Sequence, residues 1–317
     1  MSQETIDKTF NVEAPARLTL SNIRGSVEIL PGEDNTIHVT AVKHINNGDN
    51  DQTKIAITQT DSNHVSVKTN YRNVWINFPT HKPCKVEYTV RVPMACSLKL
   101  SGVSNVTSIQ GVEGEMVFST VSGPITLEDI SGSIDIDSVS GKISGKQVAG
   151  PLRLNTVSGK VFMHASRFPS IDAHTVSGKI SIQTPIAEGP YYFKSVSGDV
   201  DFIIPSDSSI SASLNSISGR IKTPFTTTSS RINGGNSCLE IQGGGVEVRA
   251  KSVSGNLYLK HSEETNNEEM RYSTALNPDE HSAHPSAEPS STESNMKILD
   301  RIAAGELSVD EAIEQIS

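Results

Sequence analysis

A four-residue motif, [Ser/Thr]-[Val/Ile]-Ser-Gly, occurs seven times between residues 120 and 255 and gives this chain a short period. The copies begin at residues 120, 138, 156, 175, 195, 216 and 252, in steps of 18, 18, 19, 20, 21 and 36 residues. A degenerate copy, Ile232-Asn233-Gly234, lies within the doubled last step and predicts a turn of the same kind. A fixed period this short indicates a repeat architecture.

Apolar residues alternate within each repeat, which is typical of β-strands. In the third copy the alternation predicts four inward residues, namely Val157, Gly159, Val161 and Met163. A unit of ~18 residues cannot bury its own apolar side, so neighbouring units must stack. The sequence therefore predicts an all-β solenoid with coils of ~18–21 residues, spaced ~4.8 Å apart. A propeller is disfavoured, since each of its blades needs about 40 residues.

The period divides the chain into four regions. Residues 1–100 contain alternating strands without the motif, and we expect an N-terminal β region that caps the first coils. Residues 101–260 contain the repeats. Residues 261–295 are rich in Glu, Ser, Asn and Pro and predict an acidic disordered linker. Residues 296–317 have helical spacing and predict a small α-hairpin that interacts with a partner.

The predicted hairpin has an apolar face that a module of about 22 residues cannot bury alone. Gly305 ends the first helix, and Ser308 with Glu311 forms a capping box for the second. The apolar face consists of Ile298, Leu299, Ile302, Val309, Ile313 and Ile316. We expect this face to meet a second copy, the solenoid or another protein.

Charge is distributed unevenly along the chain. The net charge is −9, yet residues 1–260 hold 24 basic and 23 acidic side chains, whereas residues 261–295 hold 1 and 8. Binding of nucleic acid through an overall basic surface is therefore not predicted.

Targeting and cofactor signals are not found in the sequence. Residues 1–8 lack the apolar stretch of a signal peptide, and no run of 18 apolar residues predicts a transmembrane segment. We expect a cytoplasmic protein, with export to the cell surface by an unrecognised route as the alternative. Cys84, Cys96 and Cys238 lack metal-ligand spacing and are expected to be buried thiols. No metal, cofactor or catalytic residue is predicted.

Three features carry a resemblance to a known family: the opening at residues 10–30, the strand at residues 86–93 and the repeated motif. Over residues ~10–260 the chain resembles the bacterial "putative adhesin" family of β-strand-repeat domains, a domain of unknown function. Residues 297–313 are similar to short helical-hairpin (SHOCT-like) modules. The resemblance implies a right-handed single-stranded β-helix, a binding or envelope-stress role, and an oligomerisation or partner-recruiting role for the hairpin. It supplies no catalytic residues.

The motif suggests a candidate binding face. If the central Val or Ile points inward, the flanking hydroxyl residues point outward and form two columns. These pairs are Thr120 and Ser122, Ser138 and Ser140, Thr156 and Ser158, Thr175 and Ser177, Ser195 and Ser197, Ser216 and Ser218, and Ser252 and Ser254. Such a lattice could bind a polysaccharide. Alternatively, the hydroxyls only stack and form local hydrogen bonds that maintain the fold.

The residue after each glycine gives a second candidate, a basic column formed by Lys142, Lys160, Lys179 and Arg220. Lysines in consecutive coils repel one another unless an anion screens them. The candidate ligands are a phosphate-bearing polymer, a lipid head-group surface, or the chain's own acidic segment at 261–295. The alternative is that these are solvated surface lysines.

We predict a non-enzymatic repeat scaffold or binding protein, and the alternative is a carbohydrate-active β-helix lyase or hydrolase. Asp135 with Asp137 and Asp199 with Asp201 are the paired carboxylates in the repeats. Because they lie in different coils, a solvated strand face explains them better than catalysis does. A groove lined by carboxylates and aromatic residues would favour the enzyme, and a flat face of Ser, Thr and Lys would favour binding.

Deletion of residues 296–317 should lower the number of chains in each particle in solution, because the apolar face of the hairpin would no longer be available for self-association. Light scattering of the full and shortened chains checks this. An unchanged number of chains per particle would exclude self-association through the hairpin and leave a different protein or the solenoid as its partner.

Overall fold

The computed structural model of this chain describes residues 2–71, 82–233 and 235–262. The predicted linker, apart from its first two residues, and the predicted hairpin at 296–317 lie outside the described residues. Within them the chain forms 23 β-strands and one 3-10 turn, Ile45–Asn47. The strands are β1 Gln3–Asn11, β2 Ala16–Pro31, β3 Thr36–His44, β4 Thr53–Asp61, β5 His64–Tyr71, β6 Lys85–Val92, β7 Cys96–Gln110, β8 Met116–Ser122, β9 Ile125–Ser131, β10 Ile134–Ser138, β11 Lys142–Ala149, β12 Leu152–Thr156, β13 Lys160–His164, β14 Ile171–Thr175, β15 Ile180–Gln183, β16 Tyr191–Ser195, β17 Val200–Ile204, β18 Ile210–Ser216, β19 Ile221–Lys222, β20 Thr227–Asn233, β21 Asn236–Ile241, β22 Val246–Ser252 and β23 Leu257–His261.

Each coil contributes one strand to each of two ladders. The first ladder runs in space β4, β5, β2, β7, β8, β10, β12, β14, β16, β22, β18, β21, β20. The second runs β1, β3, β6, β2, β7, β9, β11, β13, β15, β17, β23, β19. Pairing between coils is parallel throughout the repeats, and Ile134 pairs with Leu152, 18 residues later. The predicted all-β solenoid and its coil length are therefore confirmed, while its right-handed sense stays a prediction.

The core is a column of apolar side chains between the two ladders. Inward residues such as Ile136 and Leu154 of the first ladder and Val161 of the second are fully buried. Near the C-terminal end, the ring of Phe202 contacts the rings of Tyr191 at 5.2 Å and Phe193 at 5.3 Å between centroids. Full burial of an apolar side chain of this size contributes about 1.5–3 kcal/mol. Stacking therefore provides the stability that a single coil lacks.

The N-terminal region joins the same core. β2 and β7 are long strands that belong to both ladders, and antiparallel strands β1, β3 and β4 extend the ladders at this end. Residue 100 lies inside β7, so the predicted N-terminal region and the repeats share a strand. The buried apolar residues form one cluster from Val12 to Leu259.

The coils do not stack entirely in sequence order. Ser252 of β22 pairs with Ser195 of β16 on one side and with Ser216 of β18 on the other. The last coil is thus inserted between two coils that precede it in the chain. The residues between β19 and β22 form the antiparallel hairpin of β20 and β21, in which Asn233 pairs with Asn236. The turn predicted for this copy is therefore not of the same kind as in the other copies, since it joins two antiparallel strands and not two ladders.

The cysteine prediction is confirmed for two residues and wrong for the third. Cys84 and Cys96 are buried, and burial raises the pKa of the Cys96 thiol to about 12. Cys238 is exposed, because the outward face of β21 has no layer above it among the described residues.

The motif glycines bring successive coils together at a close backbone contact. A Cβ atom added at Gly141 would lie closer than 3.0 Å to the carbonyl oxygen of Gly123, and one at Gly159 would lie as close to the carbonyl oxygen of Gly141. The same contact recurs from Gly178 to Gly159 and from Gly198 to Gly178. A side chain at these positions would push two coils apart.

We predict that Gly141→Ala lowers the free energy of unfolding by more than about 3 kcal/mol, because it adds a backbone clash to the strain of a positive φ of 135°. Urea unfolding followed by far-UV circular dichroism measures the loss. The control is Gly243→Ala, where φ is 84° and no atom lies within 4 Å of the new Cβ, so strain alone should cost about 1–2 kcal/mol. Equal losses in the two variants would contradict the role given to the close contact.

Candidate functional site

The first hydroxyl residue of the motif lies inside the solenoid, at the corner between the two ladders. It is buried in five copies, at Ser138, Thr156, Thr175, Ser195 and Ser216, and half-buried at Thr120 and Ser252. The Oγ1 atoms of Thr156 and Thr175 accept hydrogen bonds from the amides of Gly159 at 3.1 Å and Gly178 at 2.9 Å. The prediction that these residues face outward is wrong for the five buried copies.

The error has a simple geometric cause. Within β12 the inward residues are Leu152, Leu154 and Thr156, and they alternate as expected. The corner then adds one residue, so the inward set resumes at Gly159 rather than at Ser158. Strand alternation is correct on each side of the corner and changes phase across it.

The central Val or Ile, predicted to point inward, lies mostly at the outer side of the corner. Val157 and Val176 are half-buried, and Ile217 is 83% exposed. Val139, at 4% exposure, is a copy that agrees with the prediction. The central Val or Ile of the motif therefore covers the corner in most copies and does not fill the core.

The second serine of the motif does reach the surface. Ser158, Ser177, Ser197, Ser218 and Ser254 are exposed, and Ser122 and Ser140 are half-buried. Its hydroxyl donates to the carbonyl oxygen of the Val one coil earlier, at 3.3 Å from Ser158 to Val139 and 3.4 Å from Ser177 to Val157. Each hydroxyl still has acceptor capacity for a ligand. One hydroxyl column therefore remains on the surface where the sequence predicted two.

Lys142, Lys160 and Lys179 form a continuous line of exposed cations at the start of the second-ladder strands. Lys142 pairs in register with Lys160, and the pairing of Val161 with Ile180 places Lys160 beside Lys179. The Lys142 ammonium lies 5.5 Å from the centre of the Phe162 ring. No acidic partner is found for Lys142 or Lys160 among the residues that the structure describes. Their like charges therefore stand about 4.8 Å apart at the backbone without local compensation.

At the other end of the predicted basic column, Lys179 is neutralised by an ion pair and Arg220 lies away from the line. Lys179 and Lys260 lie 2.8 Å and 2.9 Å from the carboxylate of Asp201, whose side chain is 5% exposed. Arg220 is not adjacent to Lys179, since β17 and the inserted β23 lie between their strands and place Asp199 and Asn256 there. The basic column, in the sense used below, is therefore Lys142, Lys160 and Lys179.

A groove of about 420 Å³ crosses the starts of five first-ladder strands, from β8 to β16. Each coil supplies the residue before the strand and the outward second residue, and the first four coils also supply the first strand residue. Apart from Glu115 the edge residues are small, whereas the outward row is mostly charged or aromatic. The edge consists of Glu115, Ser133, Pro151, Ser170 and Pro190, and the outward row of Val117, Asp135, Arg153, Asp172 and Tyr192. The groove thus runs along the solenoid axis.

Ion pairs and a ring contact hold the outward row in place. Arg153 lies 3.1 Å from the Asp135 carboxylate of the preceding coil, and His174 lies 3.0 Å from that of Asp172. The guanidinium of Arg249 lies 5.7 Å from the centre of the Tyr192 ring. Sequence reasoning missed this row because it followed the motif. Aligning the repeats on the strand before the motif would have shown polar residues recurring at positions 135, 153, 172 and 192.

Metal and membrane-spanning sites are not seen in the part of the chain that the structure describes. No cluster of three or more His, Cys, Asp or Glu side chains there could hold a metal ion. No helix in those residues is long and apolar enough to cross a membrane.

Known proteins place the chain in a family. The sequence profile of the Toastrack DUF4097 family matches residues 16–260, which is most of the chain and begins at the first residue of β2. The chain belongs to this Toastrack family. No curated protein matches the Toastrack chain significantly.

Several solved structures are similar to the Toastrack solenoid. A protein described as a putative adhesin from Bacteroides fragilis is 10% identical, with 81% of this chain and 98% of that chain covered and a TM-score of 0.44. A putative adhesin from Parabacteroides merdae is 10% identical, with 81% and 96% covered and a TM-score of 0.40. A putative lipid binding protein from Parabacteroides distasonis is 11% identical, with 81% and 97% covered and a TM-score of 0.36.

Thr156→Val should lower the free energy of unfolding by about 1–3 kcal/mol, because the buried Gly159 amide would lose its acceptor. Ser158→Ala in the same corner should cost less than about 0.5 kcal/mol, since that hydroxyl is exposed and water can replace it. Urea unfolding of both variants measures the difference. A larger loss for Ser158→Ala would contradict the assignment of the first hydroxyl to folding.

Proposed function

We propose that this Toastrack chain is a non-enzymatic scaffold that binds a linear anionic polysaccharide along the basic column. One observation carries the proposal: three exposed lysines occupy the same position in consecutive coils, and each follows a surface serine by two residues. The coils of Lys142 and Lys160 each offer an ammonium group without an acidic partner among the described residues, beside one serine hydroxyl, whereas Lys179 extends the line but is paired with Asp201.

The shape of the basic column favours a polymer over a flat surface. The cations form a line one residue wide, with a repeat of about 4.8 Å set by the strand spacing. A chain with regularly spaced carboxylate or sulfate groups can follow such a line, whereas a membrane would contact only its outermost part. A bound anion would also relieve the repulsion between Lys142 and Lys160. The adjacent serine hydroxyls suit the hydroxyl groups of a sugar chain.

The carboxylates of the repeats support binding rather than hydrolysis. Asp201 is neutralised by two lysines, and Asp199 accepts hydrogen bonds from the backbone amide and side chain of Asn256. Asp137 accepts a hydrogen bond from Asn155 at 2.9 Å. A glycosidase needs a proton-donating carboxyl in a desolvated setting, facing a second carboxylate across the sugar. Neither predicted pair provides that arrangement.

The C-terminal segment completes the proposal. We propose that residues 296–317 recruit a partner or a second copy, so that the scaffold brings this partner to the polysaccharide. A linker of 35 residues, 261–295, would let the two modules act at a high effective concentration. The cytoplasmic location expected from the sequence stays a prediction.

Lys142→Gln combined with Lys160→Gln should weaken binding of a heparin fragment about tenfold, which corresponds to about 1.4 kcal/mol. The loss should shrink as salt is raised, because the interaction is electrostatic. Isothermal titration calorimetry at low and high salt measures both effects.

The matched control is Lys194→Gln combined with Lys251→Gln. These lysines are also exposed and also pair in register across neighbouring coils, but they lie on the first ladder. This control should change heparin binding less than about twofold, on the scale where tenfold is 1.4 kcal/mol. An equal loss in both double variants, or no binding by the native chain, would overturn the proposal. Release of new reducing ends from the bound fragment would overturn the non-enzymatic assignment.

A further inference from the structure

The first-ladder groove differs in chemistry from the basic column. It holds the carboxylates of Glu115, Asp135 and Asp172 against one guanidinium, that of Arg153. Such a surface repels polyanions, so the ligand proposed for the basic column does not suit it. A ligand of this groove must therefore differ in charge from the ligand of the basic column.

The shape of the groove suits a linear ligand aligned with the solenoid axis. It spans five coils, which at the strand spacing makes it about 19 Å long. Serine and proline edge residues make one side low, and the larger outward row makes the other side high. A volume of about 420 Å³ lies within the range of small-molecule sites.

The outward row offers donors and acceptors in alternation. Proceeding along the groove, a carboxylate at Asp135 is followed by a guanidinium at Arg153, a carboxylate at Asp172 and a phenol ring at Tyr192. Hydroxyl groups can donate to the carboxylates and accept from the guanidinium. A cationic chain would meet Arg153 in the middle of the groove, and a polyanion would meet Asp172. A neutral ligand rich in hydroxyl groups satisfies the whole row.

Two further details point to a ligand that is both apolar and polar, as a sugar ring is. Asp135 Oδ1 is buried and has no hydrogen-bond partner in the described residues. Tyr192, which lines the end of the groove, is half-buried and so presents part of its ring to a ligand. Sugar rings combine an apolar face, which packs on aromatic rings, with a hydroxyl rim.

We propose that the first-ladder groove binds a neutral linear glycan along the solenoid axis, with Tyr192 as the stacking residue and Asp135, Arg153 and Asp172 as hydrogen-bonding residues. This site is separate from the basic column and does not depend on the function proposed for it. The protein would then hold two sugar polymers of different charge on two faces.

The groove is built for binding and not for cleavage. In the register, Arg153 lies between Asp135 and Asp172, whose backbones are about 10 Å apart. The guanidinium occupies the space that a sugar and a water molecule would need between two catalytic carboxylates. The two carboxylate side chains are also 34% and 50% exposed, and each has a basic partner.

The test uses the full chain on an array of neutral linear glycans, followed by titration calorimetry with a soluble fragment of the strongest hit. Native protein should bind at least one neutral glycan, with an affinity that changes less than twofold between 50 mM and 500 mM salt. Tyr192→Ala and Asp172→Asn should each weaken binding about tenfold or more.

Two controls match these substitutions. Tyr258→Ala removes an outward tyrosine of the second ladder that also has a cation over its ring, at 5.0 Å from Lys222. Asp207→Asn removes an exposed carboxylate outside the groove. Both should leave glycan binding within twofold of native, and circular dichroism should show all variants folded. Absence of any neutral glycan ligand at millimolar concentration overturns the proposal, as does equal loss in the Tyr192 and Tyr258 variants.

Discussion

The whole solenoid depends on one backbone contact, the approach of each motif glycine to a carbonyl oxygen one coil away, which belongs to another motif glycine in every copy but the first. This contact fixes the distance between coils at the corner, so both ladders keep hydrogen-bonding distance on either side of it. The hydroxyl residues of the motif support this backbone contact. In four copies, at Thr156, Thr175, Ser216 and Ser252, the first hydroxyl accepts a hydrogen bond from the glycine amide. The second hydroxyl ties the corner to a neighbouring coil, as Ser158 does to Val139. The glycine and the first hydroxyl of the motif thus serve folding, and the second serine is the polar motif residue that reaches the surface.

Period and strand alternation were enough to predict the all-β solenoid, the coil length and the inward Val161 and Met163. The orientation of the motif itself was not predictable from alternation, because the corner adds a residue and shifts the phase. For that reason Thr156 is buried where an outward position was expected, and Val157 is half-buried where an inward position was expected. A polar residue can be buried there because the Gly159 amide provides a hydrogen bond, which the one-dimensional pattern does not show.

The candidate sites were likewise predictable from the sequence only in part. The basic column follows the motif by a fixed offset, so Lys142, Lys160 and Lys179 could be found from the sequence. Arg220 was misplaced, since sequence order does not reveal that the last coil enters between β16 and β18. The groove was missed because Asp135, Arg153, Asp172 and Tyr192 differ in type from coil to coil. These residues form one surface only because they lie on the same side of the first ladder.

The inserted last coil also determines how the protein can bear load through its C-terminal segment. β23 lies between β17 and β19, and β22 between β16 and β18, so the chain leaves the solenoid from within the stack and not from its end. A pull on residues beyond His261 acts along β23. It must shear several parallel hydrogen bonds together, instead of peeling an end strand one bond at a time. A load applied through the C-terminal segment would therefore meet the solenoid at a strand that resists shear.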